Sequence, residues 1–223
     1  THLSLSPILQ AADGSTHGYD VVDPAAVDVE RRGRPAFHRL RAACARHGMG
    51  LVLDVVPNHL CVTSPRNAWW ASVLRLGPAS PFAARFDVDW DSPHAGGRLI
   101  LPVLSDELRQ LAARGELAVE HARGRLQVAW HEHRWPLRPG TAAAVLREAD
   151  PAGGLGLADV AARLDVIEQA AARVPPAGGA DRVDVGPDGL EAACLELESA
   201  LGERLAGDER ARAALDRRLA ALA

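Results

Sequence analysis

Apolar positions in the first third of the chain fall into short runs with one helical stripe between them. Leu3 to Leu9 is a brief apolar run ending in Ser6-Pro7-Ile8-Leu9, and Leu51-Val52-Leu53-Asp54-Val55-Val56 is almost continuously apolar. Runs of this length predict strands, and a strand apolar on both faces belongs to a parallel sheet covered on both sides. Between the two runs, Phe37, Leu40, Cys44 and His47 recur at helical spacing, and Gly48 is the expected stop. Strand, helix and strand in this order predict a β-α-β unit over residues 1–67.

The texture changes twice more. Residues 68–150 carry shorter signals: Leu99-Ile100-Leu101-Pro102-Val103-Leu104 as a strand, and Leu117-Ala118-Val119 with Leu126-Gln127-Val128-Ala129-Trp130 as a hairpin around Arg123-Gly124. Alternation of Leu126, Val128 and Trp130 predicts one buried face, so this stretch reads as a small β-containing excursion. Residues 151–223 are helical, with Leu157, Val160, Leu164, Ile167 and Ala171 on one stripe and Leu190, Cys194, Leu197, Leu201 and Leu205 on another. Val174-Pro175-Pro176-Ala177-Gly178-Gly179 separates the two helices. Their apolar faces want partners that the rest of the pattern does not supply.

Composition narrows the function. Lys+Arg number 25 against Asp+Glu 29, a net charge of −4 over 223 residues, and every basic residue is Arg. Nucleic-acid binding needs a basic excess, so no nucleic-acid partner is expected. No apolar run approaches a membrane span, and Thr1-His2-Leu3-Ser4 lacks the basic start of a signal peptide. The odd, widely spaced Cys44, Cys61 and Cys194 read as reduced thiols of a cytoplasmic protein. With no initiator Met and a strand at its start, the chain reads as a piece of something longer.

Candidate chemistry sits after the two strands. The first is followed by Gln10-Ala11-Ala12-Asp13-Gly14-Ser15-Thr16-His17-Gly18-Tyr19-Asp20, and the second by Pro57-Asn58-His59. In a β/α barrel substrates meet the C-terminal strand ends, so both polar clusters would share one rim. Other polar groups carry less. His131-Glu132-His133 puts two histidines on one strand face but lacks a third zinc ligand. Asp87, Asp89 and Asp91 lack the Gly and distal Glu of an EF-hand loop. Trp69-Trp70 would leave at least one ring in the core.

Three segments together resemble the α-amylase superfamily of glycoside hydrolases: Ser6-Pro7-Ile8-Leu9-Gln10, Gly14-Ser15-Thr16-His17-Gly18-Tyr19-Asp20-Val21-Val22-Asp23, and Gly50-Leu51-Val52-Leu53-Asp54-Val55-Val56-Pro57-Asn58-His59. Within it they are similar to the malto-oligosyltrehalose synthases, as are Asn67-Ala68-Trp69-Trp70, Phe86-Asp87-Val88-Asp89-Trp90 and Leu101-Pro102-Val103-Leu104. The resemblance implies an α/β fold: part of a (β/α)8 TIM barrel carrying its second and third strands, an inserted β-containing subdomain and a helical extension. It implies conversion of the reducing-end α-1,4 bond of a maltodextrin to an α,α-1,1 trehalose linkage by retaining intramolecular transglycosylation, alongside a trehalose-releasing hydrolase. Another hydrolase or transglycosylase of the superfamily, or a non-catalytic maltodextrin-binding piece, are the alternatives.

By the same resemblance, Tyr19 stacks on the sugar, His17 lines that subsite and His59 hydrogen-bonds a sugar hydroxyl. Asp20, Asp54 and Asn58 support the site, and neither a metal nor a cofactor is implied. The catalytic carboxylates are expected elsewhere: Arg182-Val183-Asp184 lacks the following His of the fourth-strand motif, and Asp188 reads as a helix cap. Asp28-Val29-Glu30-Arg31-Arg32-Gly33-Arg34 departs from the Asn-Pro-x-Leu-Gly-Gly-like turn of the family, and Ser105 stands where Gly is usual.

Overall fold

The first apolar run forms β1 (His2–Leu5) and then, past Pro7, β2 (Leu9–Ala11). The polar stretch after it is not one long loop. Val21, Val22 and Ala11 are buried, and that apolar surface zips β2 antiparallel to β3 (Val21–Val27), with register shifts on either side of Gln10. The intervening loop is thereby shortened to residues 12–20, closed at its base by the Ala12 amide donating to the Asp20 carbonyl at 3.0 Å.

Helix α1 (Gly33–Arg46) follows, ending as expected: Gly48 has φ 61° and the Met49 amide donates to the Cys44 carbonyl at 2.9 Å. Cys44 is buried on its inner side, whereas His47 is exposed and leaves the expected stripe. The chain then enters β4 (Gly50–Leu53), which pairs in parallel with β1 from His2↔Gly50 to Leu5↔Leu53. The β-α-β order is therefore present, but the double-sided cover is not. Val52 is 50% exposed and Val55, just past the strand, 59%, because the one helix lying wholly within the described residues of this unit, α1, cannot cover both faces.

The structure, a computed structural model, describes residues 1–174 and 187–222, in two compact units, Thr1–Ala68 and Trp69–Ala223. In the second unit, α2 (Ala68–Leu76) buries Trp70 and Val73 with Trp90. Residues 99–104 are irregular rather than a strand. Pro102 has no amide hydrogen for a ladder, and Leu99 and Leu101 fold onto the Trp70 cluster while Ile100 is exposed.

A short α3 (Leu108–Ala113) leads into a three-stranded antiparallel sheet of β5 (Ala118–Ala122), β6 (Arg125–Trp130) and β7 (His133–Pro136). The first hairpin is as expected, with Arg123 at φ 53° and Gly124 at φ 84° as the two-residue turn. β6 is the central strand, so Gln127 and Ala129 are buried along with Leu126 and Trp130, and Val128 is only half-buried. His131, at φ 48°, and Glu132 make the second turn, so His131 and His133 do not share a strand face.

Helices α4 (Pro139–Ala149), α5 (Leu157–Ala171), α6 (Pro187–Gly207) and α7 (Glu209–Ala220) complete the unit. Both expected stripes face inward, with Val160 and Leu190 half-buried and the rest buried, and they have their partners: Leu157, Leu164, Leu197 and Leu201 share one core with Ala143 and Leu146 of α4, Ala211 and Leu215 of α7, and Leu126 of the sheet. Part of that cover is α4, which buries Ala142, Ala143, Val145 and Leu146. α7 is charge-paired to its neighbours, Arg218 with Glu148 of α4 and Asp216 with His121 of β5 at 3.1 Å. The linker beyond Val174, Arg182-Val183-Asp184 and the Asp188 side chain lie outside the described residues.

One buried charge cluster ties α2 to α6. Arg75, 4% exposed, pairs with both Glu191 and Glu198, while Arg125 donates to Glu198 and Ser72 to Glu191 at 3.0 and 2.8 Å. Burial pushes the neighbouring Cys194 thiol up to about 11. The β5–β6 turn presses on the same helix: a Cβ on Gly124 would lie 1.9 Å from the Glu198 carbonyl oxygen. Gly124→Ala is therefore expected to destabilise this unit by more than about 1 kcal/mol. Urea unfolding followed by tryptophan fluorescence checks this, because Trp69, Trp70, Trp90, Trp130 and Trp135 all lie in it.

Candidate functional site

The site is built on the parallel pairing in the first unit. Because β4 runs alongside β1, Asp54 leaves the sheet next to Leu5, its amide donating to the Leu5 carbonyl at 3.1 Å. The loop of residues 12–20 returns over the same end. There the Tyr19 hydroxyl donates to Asp54 Oδ2 at 2.7 Å. The segment after β4 is held by the Cys61 amide, which donates to the Val21 carbonyl at 2.8 Å, and it brings His59 to the same place.

Every sequence-predicted site residue joins this arrangement. His59 donates through Nε2 to the Tyr19 carbonyl at 3.2 Å, with Nδ1 3.1 Å from the Asn58 side-chain oxygen. The Tyr19 amide donates to His17 Nδ1 at 3.0 Å, and the two rings lie 5.8 Å apart at 22°. Asp20 accepts from the Ser15 hydroxyl and lies 3.8 Å from His17 Nδ1. Asp54 steadies the loop by accepting the Tyr19 hydroxyl, which is thereby held rather than left to solvent.

Tyr19 remains 46% exposed, leaving ring surface open between groups that can donate and accept hydrogen bonds. Such a mixture suits a ligand with an apolar face rimmed by hydroxyls. The Asp54 carboxylate accepts the Tyr19 hydroxyl and repels the phenolate, holding the Tyr19 pKa above its ordinary value.

Support for the loop comes from residues that sequence reasoning did not assign to the site. Gly18 adopts φ 83°, and a Cβ there would lie 2.9 Å from the Pro7 carbonyl oxygen, so only glycine fits. Its amide donates to the Ser15 hydroxyl at 3.0 Å. Glu30 accepts from the Gly14 amide at 3.1 Å, and Arg31, paired with buried Asp28, donates to the Ser15 carbonyl at 3.3 Å. The signal in the sequence is the departing segment 28–34 itself.

No family model matches the chain. A putative maltooligosyl trehalose synthase of Mycobacterium tuberculosis is 50% identical to it over 108 residues, 48% of this chain and 14% of that protein. The maltooligosyltrehalose synthase structure from Arthrobacter ramosus matches with TM-score 0.54 and 43% identity, covering 62% of this chain and 17% of that one. A hypothetical maltooligosyl trehalose synthase structure from Sulfolobus tokodaii gives TM-score 0.56 at 28% identity, covering 68% and 20%. This chain is similar to part of the maltooligosyltrehalose synthases. It spans about a seventh of the length of its curated relatives, so the similarity concerns a segment of such an enzyme.

The aromatic and acidic residues singled out in the sequence after residue 68 belong to the second unit. Trp70 is buried with Trp90, and Trp69 stacks on Phe82 at 5.2 Å with the Arg85 guanidinium also over its ring. Asp87, Asp89 and Asp91 are exposed, with the Asp91 amide donating to Asp89 at 3.2 Å. Among the described residues no group of three His, Cys, Asp or Glu side chains is placed to hold a metal ion. Nor, among them, is any helix long and apolar enough to cross a membrane.

Tyr19 is the only tyrosine in the chain, so phenolate absorbance reports on it alone. Its midpoint is expected above 10 and should fall back towards 10 in Asp54→Asn. The bond to Asp54 is complete below pH 10 and is lost as pH rises through the raised pKa of Tyr19. An alkaline difference-absorbance titration of both forms checks the sign.

Proposed function

We propose that this chain supplies a maltodextrin-binding wall of a (1→4)-α-D-glucan 1-α-D-glucosylmutase, the reaction that turns a reducing-end α-1,4 bond into an α,α-1,1 trehalose linkage. The observation that carries the reading is the joining of Tyr19, Asp54 and His59 around a half-exposed ring, in a segment similar to maltooligosyltrehalose synthases. Tyr19 stacks on the apolar face of a glucosyl unit beside His17. His59 hydrogen-bonds a hydroxyl of that unit, a contact that strengthens as oxocarbenium charge develops. Asp54 and Asn58 fix the phenol and the imidazole, and Asp20 fixes the loop.

In this reading β1 and β4 are neighbouring strands of a (β/α)8 barrel, residues 68–150 an inserted subdomain and 151–223 a helical extension. The rearrangement retains configuration, using a nucleophilic carboxylate and an acid/base carboxyl about 5 Å apart. None of the wall residues holds either role. The enzyme works in the cytoplasm, its product passing to a hydrolase that releases trehalose.

The test is titration calorimetry of this chain with maltopentaose, paired with a reducing-end assay. Saturable binding is expected, weakened about tenfold in Tyr19→Ala, the equivalent of ~1.4 kcal/mol of ring contact. The chain alone should leave reducing ends unchanged. Binding that is indifferent to Tyr19→Ala removes the wall, and a rise in reducing ends points to a hydrolase instead.

A further inference from the structure

The segment that departs most from the family pattern is also the one that touches the site loop from behind. Asp28 is almost fully buried, and the backbone around it is fixed: its amide donates to the Ile8 carbonyl at 3.0 Å, and the Val29 amide donates to Gln10 Oε1 at 3.1 Å. Within the turn, Asp28 Oδ1 accepts the Glu30 amide at 2.8 Å and Oδ2 accepts Arg31 Nη1. Arg31 thus has one end of its guanidinium anchored on a buried carboxylate. The other end, Nη2, reaches the Ser15 carbonyl, next to the space that a Cβ on Gly18 would enter.

Ser15 in turn organises the loop. Its hydroxyl donates to Asp20 and accepts the Gly18 amide, so the backbone on which His17 and Tyr19 stand is tied at both sides of those residues. Arg31 also lines an apolar groove with Leu5, Ile8, Val27, Phe37 and Leu40. A planar fork on a buried carboxylate is well suited to hold one neighbour in a fixed direction, where a flexible ammonium would not.

We propose that Arg31 is a positioning residue: clamped by Asp28, it sets the Ser15–Asp20 loop so that the Tyr19 hydroxyl meets Asp54. This deepens the reading given under Proposed function, on which its relevance to a maltodextrin rests. Arg31 touches neither Tyr19 nor any of the groups that would meet sugar, and it acts through the Ser15 carbonyl.

The lone tyrosine makes this testable without sugar. The groups within reach of Tyr19 are His17, Asp20, Asp54 and His59. Losing the Arg31 charge removes a cation, which by itself raises a phenol pKa. Losing the loop position separates the phenol from Asp54, which lowers it. The two effects have opposite signs. In Arg31→Met the Tyr19 midpoint is expected to fall towards 10, and Arg31→Lys, which keeps the charge and one donor, should recover part of the difference.

Folding of the unit is followed separately by hydrogen exchange at the Asp54 and Cys61 amides, which donate to Leu5 and Val21. They are expected to stay protected in both variants. A midpoint that is unchanged or higher in Arg31→Met overturns the proposal, and so does loss of protection at both amides, which would make Arg31 a general stabiliser. Maltopentaose titration of the unaltered chain is run in parallel. If the midpoint falls as expected and the unaltered chain binds no maltopentaose, Arg31 keeps its positioning role and the maltodextrin reading fails by itself.

Discussion

The parallel pairing of β1 with β4 is the constraint on which the candidate site stands. Parallel strands need a crossover between them, and here the crossover carries the β2–β3 hairpin, the turn at residues 28–33 and α1. Both strands end on the same side, so the loop after one and the segment after the other leave the sheet together. An antiparallel partner would have sent Asp54 to the opposite end from Leu5. Tyr19, Asp54 and His59 meet because of strand direction first and side-chain chemistry second.

The second unit is held by different physics. Its core is helical and apolar, with Leu146, Leu157, Leu197 and Leu215 fully or almost fully buried, while a polar cluster around buried Arg75 joins elements far apart in sequence. A buried ion pair adds little net stability over a well-packed apolar substitute, since desolvation offsets most of the attraction. Its value is directional, because the two terminal nitrogens of Arg75 find carboxylates only when Glu191 and Glu198 both face α2.

Much of this was legible in the residues because local chemistry and tertiary context agree. Gly48 stops α1, Arg123-Gly124 turns β5 into β6, and the stripes of α5 and α6 are buried as their spacing predicts. Misreadings arose where context decides. Leu99-Leu104 has strand composition but no neighbour to pair with, so its leucines serve the Trp70 cluster instead. His131-Glu132-His133 has the spacing of one strand face, but the pairing of a third strand makes its first two residues a turn. The polar stretch of residues 10–20 hid two strand residues, since Gln10 is buried through its hydrogen bonds and no hydrophobic pattern marks it. The site residues were visible through motif resemblance, but the bond between Tyr19 and Asp54, 35 residues apart, was not. Neither was the support from Asp28 and Arg31, because a salt bridge inside an altered turn leaves no periodic trace.

The Arg75 cluster also sets an order of events at the ribosome. Arg75 is separated from Glu191 by 116 residues and from Glu198 by 123. A chain elongating at about 5–20 residues per second leaves that guanidinium without its carboxylates for on the order of ten seconds. During that interval α2 has no reason to shed water from Arg75, and the helix can settle only when α6 arrives. A helix made more than a hundred residues later therefore governs when one of the first elements of this unit becomes native.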